Sequence, residues 1–156
     1  MEGTDLPSRD EGEAGVNARL WRAERRELGL EDDAVDQIFR RMAFNVMGRN
    51  CDDHTKNFSF ILRQGQPWNL SPAYDVTHAY NPKGEWTYQH LMSVNQKFKG
   101  ISKLDLLEVA NRFGVRRPEN ILSDVRSAID NWPLFAKTAN LTPTLQKRVA
   151  SDLLQQ

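Results

Sequence analysis

The apolar positions of this sequence follow a helical period, then an extended one, then a helical period again. Val35, Ile38, Phe39, Met42 and Val46 recur at three- and four-residue spacing. That spacing predicts a buried helix running from a cap at Asp32 or Asp33 up to Gly48, where it delivers Arg49, Asn50 and Cys51 to a loop. Residues 17–28 carry a more charged helical pattern, with Leu20, Trp21 and Leu28 as its apolar positions and Gly29 as its stop. After the loop, Phe58-Ser-Phe-Ile-Leu-Arg63 reads as a strand, Gln64-Gly-Gln-Pro67 as a turn, and Trp68-Asn-Leu70 as the return strand of a β-hairpin that Pro72 ends. Phe58, Phe60 and Trp68 are expected in the hairpin's core. Turn signals at Asn81-Pro-Lys-Gly84 and Asn95-Gln96 surround residues 88–94, which predicts one more short strand or hairpin.

The last third is helical and well punctuated. Ser102 and Asp105 have the spacing of a capping box, Leu106, Leu107, Ala110 and Phe113 share a face, and Gly114 supplies the stop. Pro118 suits a first helical turn, after which Ile121, Leu122, Val125, Ile129 and Trp132 follow, with Pro133 breaking or kinking the helix. Thr142-Pro143 opens a final helix with Leu145, Val149 and Leu153 on one face. The class is therefore α+β, mainly helical, with one domain over residues 16–156. Residues 1–15 have too little apolar content to offset the entropy of ordering and are expected to form a flexible tail.

Composition narrows the function classes. The 156 residues hold 21 basic and 21 acidic side chains, so no overall charge drives binding to nucleic acid or a membrane surface. The balance is uneven along the chain: residues 1–50 carry net −3, and residues 51–156 net +3. All the lysines lie at or after Lys56. One cysteine, Cys51, forms no internal disulfide, and neither a long apolar run nor a basic-then-apolar leader occurs. A cytoplasmic, non-membrane protein is expected.

Candidate chemistry concentrates in Asn50-Cys-Asp-Asp-His-Thr-Lys-Asn57, a polar loop between a buried helix and an apolar strand. Asp52 and Asn57 have the separation of the Asp and Asn in the protein-kinase catalytic loop. There the Asp orients or deprotonates the attacking hydroxyl, and the Asn amide oxygen is a ligand for Mg²⁺. Asp75 follows the hairpin that returns the chain to the loop, where a kinase places its second metal-binding Asp. Asp53 is expected to cap a turn or loop, and His54 to orient the loop, with phosphate or an Asp as its alternative contact. Cys51, His54, His78 and His90 match no compact zinc motif. The loop lacks the Gly and Glu of a calcium-binding EF-hand, and Ser59 and Ser71 lack the setting of a hydrolase nucleophile.

Phe44-Asn-Val, the loop through Phe58-Ser59, and Leu70-Ser-Pro-Ala-Tyr-Asp75 together resemble the catalytic core of the HipA family, bacterial serine/threonine kinases that act as toxins in toxin–antitoxin pairs. The resemblance implies the C-terminal lobe of a protein-kinase-like fold, with the small hairpin beside the catalytic loop. It implies Asp52 as the catalytic aspartate and Asn57 and Asp75 as Mg²⁺ ligands. Lys56 and His54 belong to the same loop and are assigned to the nucleotide phosphates, with Lys56 placing positive charge near the transferred group.

A complete kinase carries a Gly-rich loop and a phosphate-gripping Lys before its catalytic loop, and neither occurs before Lys56 here. The sequence thus resembles the C-terminal lobe alone. Weak ATP binding and little autonomous activity are expected, with a missing N-lobe, in the same gene or another chain, as first partner. A protein substrate and a helix-turn-helix antitoxin follow from the resemblance, and DNA is met only through that antitoxin. The alternative is a catalytically silent lobe that serves as an interaction module, or half of a split toxin.

Overall fold

The computed structural model describes residue 30 and residues 32–153. The expected tail at 1–15 and the expected helix at 17–28 lie outside the described residues. The first described helix, α1 (Asp32–Met47), carries the predicted apolar face inward, with Val35, Ile38, Phe39, Met42 and Val46 all buried. Burying side chains as large as Ile38 and Phe39 contributes about 1.5–3 kcal/mol each, which a short charged helix needs in order to persist. Asp33 lies inside the first turn and does not cap it: its carboxylate pairs with Arg116, which also holds Asp36.

Among the described residues, four more helices pack with it: α2 (Lys103–Phe113), α3 (Pro118–Asp130), α4 (Trp132–Thr138) and α5 (Pro143–Leu153). Leu106, Val109 and Ala110 of α2, Ile121, Leu122, Val125 and Ile129 of α3, and Val149 and Leu153 of α5 join the α1 face in one core. Pro133 does more than break α3. It sits in the first turn of α4, where its missing N–H costs nothing, so the break doubles as a start that the periodicity did not reveal. Among the described residues, no helix is long and apolar enough to cross a membrane.

The sheet is smaller than the alternation of residues 58–63 predicts. Strand β1 (Phe60–Ile61) pairs antiparallel with β2 (Asn69–Leu70), in the register Phe60 to Leu70 and Ile61 to Asn69. Phe58 is buried in the core, but Trp68 is exposed, so the aromatic residues do not form one hairpin core. The further short strand or hairpin expected around 88–94 forms only as a single antiparallel bridge between Val94 and Lys97. Asn95 and Gln96 do make a tight turn, both with positive φ, bridged by Val94 and Lys97. Upstream of it, the Leu91 and Met92 N–H groups donate to the Asp53 carboxylate instead of to a neighbouring strand.

Helix α2 has the predicted caps. The Ser102 hydroxyl accepts from the Asp105 N–H, the Asp105 carboxylate accepts from the Ser102 N–H at 2.8 Å, and Gly114 ends the helix in the left-handed conformation. Lys97 first, then Asn95 and Ser102, hold the Asp105 carboxyl well below the usual carboxylate range. Replacing Ser102 by Ala removes the hydroxyl from this box and is expected to destabilise the domain by about 1 kcal/mol in urea unfolding, without a change in m-value.

Candidate active site

Helix α1 ends where Gly48 approaches Phe44 so closely that a Cβ would stand 2.8 Å from the Phe44 carbonyl oxygen. Arg49 then takes a left-handed conformation and turns the chain into the loop. Its guanidinium lies over the Tyr80 ring, 4.7 Å from the centroid, and its Nε donates to the Asp152 carbonyl in α5. The next residue, Asn50, is 1% exposed. Its side-chain Nδ2 donates to Asn45 Oδ1 and to the Asp75 carbonyl, both at 3.1 Å, and its Oδ1 accepts from the Thr77 hydroxyl. One buried amide thereby joins the end of α1, the loop and the segment around Asp75.

The backbone laces the same two segments together. The Ala79 N–H donates to the Arg49 carbonyl at 3.0 Å, and the Cys51 N–H donates to the Ala79 carbonyl at 3.1 Å. Tyr74 donates its hydroxyl to the Lys56 carbonyl at 2.5 Å, and Asn57 Nδ2 donates to the Asp52 carbonyl at 3.0 Å. Ser59 and Ser71 are joined through both hydroxyls and backbone, so the hairpin brings Asp75 back beside the loop as predicted. Asp75 itself has φ 55°, a left-handed conformation that costs a residue with a Cβ about 1–2 kcal/mol.

This lacing gathers Asp52, His54 and Asp75: one ligand atom from each lies within 4.8 Å of the other two. Two carboxylates and an imidazole are a donor set that a divalent cation takes, and His54 Nδ1 is shielded from solvent with no hydrogen-bond partner. Asn57 is buried in the same turn (Thr55–Asn57), with its amide oxygen left over after its nitrogen is used. Lys56 is exposed. The other histidines go elsewhere. His78 Nε2 lies 3.3 Å from Asp152, and burial outweighs that carboxylate and lowers its pKa. His90 faces Asp53 and Cys51. Cys51, His54, His78 and His90 are therefore spread over three places and make no common site.

Asp53, expected to cap a turn or its own loop, bonds instead to a distant segment. It is 4% exposed and His90 3% exposed, with His90 Nδ1 2.9 Å from Asp53 Oδ2, while Asp53 Oδ1 accepts from the Leu91 and Met92 N–H groups. Neither His90 nor Asn50 stands out in the sequence as a structural keystone. A lone histidine in an apolar stretch and an asparagine after a helix carry no spacing signal.

Two outcomes follow from these buried contacts. Replacing Asn50 by Asp turns two donated hydrogen bonds into a carboxylate facing the Asn45 and Asp75 oxygens. This is expected to destabilise the fold by about 3 kcal/mol or more, against about 2 kcal/mol for Asn50→Ala, as measured by urea unfolding. For His90, burial disfavours the charged ring, but the Asp53 hydrogen bond, with Cys51 and the Asp53 charge behind it, outweighs burial and raises the pKa from 6.5 to about 9. The resulting stabilisation is full below about pH 6.5, declines above it, and is gone once pH has risen through about 9, since the folded value lies above the unfolded one. Unfolding free energy is expected to fall by up to about 3 kcal/mol across that window in the wild type, and by clearly less in His90→Gln.

Residues 11–132 match the family described as the HipA-like C-terminal domain. A protein of Sinorhizobium fredii (strain NBRC 101917 / NGR234) named "Putative kinase Y4dM" is 29% identical over 134 residues, a match that covers 76% of this chain and 32% of that relative. The chain thus spans about a third of the relative's length. No solved structure matches the chain. With the family match extending over the loop, the hairpin and Asp75, the chain belongs to the HipA-like C-terminal domain family.

Proposed function

We propose that this domain carries the catalytic loop of a metal- and ATP-dependent serine/threonine kinase, in which a protein hydroxyl takes the γ-phosphate. The observation that supports this most directly is the meeting of Asp52 and Asp75, from opposite ends of the hairpin, on donor atoms within 4.8 Å of each other and of His54. Asp52 orients the attacking hydroxyl and accepts its proton while the hydroxyl oxygen bonds to the γ-phosphorus and the bond to the ADP oxygen breaks. Asp75 and the Asn57 amide oxygen hold the cation, as the family resemblance implies. The cation, when bound, neutralises charge on the transferring phosphate. Lys56, exposed beside Asn57, and His54 face the phosphates in this reading.

Positioning supplies most of the catalysis in phosphoryl transfer, and the Gly-rich loop and strand Lys that grip the nucleotide are not encoded before Lys56. A nucleotide site normally buries about 70–90% of its ligand. This segment alone is therefore proposed to bind ATP weakly and to need an N-terminal nucleotide-binding region, supplied in the same polypeptide or by another chain. The toxin role, a helix-turn-helix antitoxin as partner with DNA met through it, and a cytoplasmic setting belong to the same proposal and rest on family membership.

Labelled ATP distinguishes the outcomes. Phosphate transfer to a protein is expected when the chain is combined with the N-terminal region of a HipA-like kinase, and Asp52→Asn is expected to lower the rate at least about a hundredfold. The chain alone is expected to show negligible transfer. Low-micromolar ATP affinity of the isolated chain, or undiminished transfer by Asp52→Asn, overturns the reading.

A further inference from the structure

We infer that His90, acting through Asp53, is the positioning residue that holds Asp52 in place beside Asp75. Its effect on catalysis rests on the phosphoryl-transfer reading above, whereas the contacts that do the holding stand without it.

Asp52 lies in a stretch that neither helix nor strand supports. Residues 51–54 are irregular, between the end of α1 and the Thr55–Asn57 turn. The Cys51 N–H is fixed to the Ala79 carbonyl, and the Asp52 carbonyl accepts from Asn57 Nδ2. Asp53 is held differently. Among the described residues its backbone makes no hydrogen bond, so its carboxylate is its anchor. Adjacent residues share a rigid, planar peptide unit, and the depth at which Asp53 is fixed therefore limits where Asp52 can stand.

The two oxygens of that anchor are not equivalent. Oδ1 accepts from the Leu91 and Met92 N–H groups at 2.8 and 3.2 Å, whereas Oδ2 faces His90 Nδ1 alone, at 2.9 Å. Burial works against charge on the ring, but the hydrogen bond to Asp53 outweighs it and raises the pKa to about 9, so Nδ1 carries a proton at neutral pH. Without that donor, Oδ2 is a buried oxygen with no partner, which is costly. The carboxylate regains a partner by moving toward water, and the peptide that joins it to Asp52 moves with it.

His90 itself has a firm base. Its N–H donates to the Phe98 carbonyl at 2.9 Å, and the bridge between Val94 and Lys97 closes the turn between them. Asn95 Nδ2 bonds to Asp105 and Glu108 of α2, and Lys97 bonds to Asp105. The ring is thus tied to a helix, and through Asp53 that helix reaches the irregular stretch around Asp52.

Two substitutions separate this role from packing. In His90→Asn the amide nitrogen stands where Nδ1 stood and still donates to Asp53; in His90→Gln it stands where Nε2 stood, toward Cys51. Both remove the ring and its charge, so a loss common to both reports packing and a difference reports the bond to Asp53. In the chain combined with the N-terminal region of a HipA-like kinase, His90→Gln is expected to lower kcat about thirtyfold or more with KM for ATP within about twofold. His90→Asn is expected to stay within about fivefold of the wild type. In the chain alone, hydrogen exchange of the Asn57 and Phe58 amides, which donate to the His54 and Thr55 carbonyls, is expected to quicken about tenfold or more in His90→Gln. The same amides in His90→Asn, and the Leu122 and Val125 amides of α3 in either variant, are expected to keep their protection. If circular dichroism shows that His90→Gln fails to fold, Asp53→Asn is read in its place. Exchange in His90→Gln equal to the wild type, or equal losses in the two His90 variants, overturns the inference. Absence of phosphate transfer in the wild type, with exchange still separating Gln from Asn, overturns the kinase reading alone. Transfer that His90→Gln leaves undiminished overturns this inference alone.

Discussion

The candidate site depends on the Asn50 side-chain amide. It is buried where α1 ends, and it bonds simultaneously to α1 through Asn45, to the Asp75 carbonyl and to Thr77. A buried amide with its hydrogen bonds made is stable, but the same amide with any of them missing is costly. This all-or-none character turns three segments into one unit. It also explains how Asp75 persists in a left-handed conformation: its carbonyl is held by a group that has nowhere else to go. Strain at the carboxylate is thus offset a short distance away by a neutral, fully bonded polar centre.

Adjacent acids in the loop have opposite duties. Asp53 is turned inward, to His90 and two backbone N–H groups, and is fully engaged. Asp52 remains near the surface with His54 and Asp75. A loop with one carboxylate would have to choose between anchoring itself and doing chemistry. Two in succession on an irregular backbone separate those tasks, and the buried ion pair keeps the free acid at a fixed depth. Such a pair repays its desolvation only when the geometry is good and the remaining lone pairs are satisfied, and Asp53 meets that condition through Leu91 and Met92.

Much of this was legible in the sequence, for definite reasons. Val35, Ile38, Phe39, Met42 and Val46 have helical spacing because one face must meet the core, and Ser102, Gly114 and Pro118 mark ends because backbone groups there need special chemistry. The meeting of Asp52 with Asp75 could be read because a hairpin returns the chain to its origin. The failures have a common cause. Helix α4 was hidden because Pro133 reads as a stop when it is also a legitimate start. The strand or hairpin expected around 88–94 stops at one bridge because the Leu91 and Met92 N–H groups donate to Asp53, far off in the sequence, and the importance of Asn50 and His90 was hidden for a similar reason. Local pattern records local demands, and a polar group whose partner arrives by tertiary folding leaves no period to read.

The hydrogen bond from Arg49 Nε to the Asp152 carbonyl joins residues 103 positions apart. During synthesis at about 5–20 residues per second, Arg49 leaves the ribosome on the order of 5–20 s before its partner does. The loop that carries the candidate groups is made first, and the residue that pins its start follows 103 positions later. Assembly of the candidate site is therefore timed by α5, and a nascent chain holds the sequence of the Asn50–Asn57 loop well before that loop has its final shape.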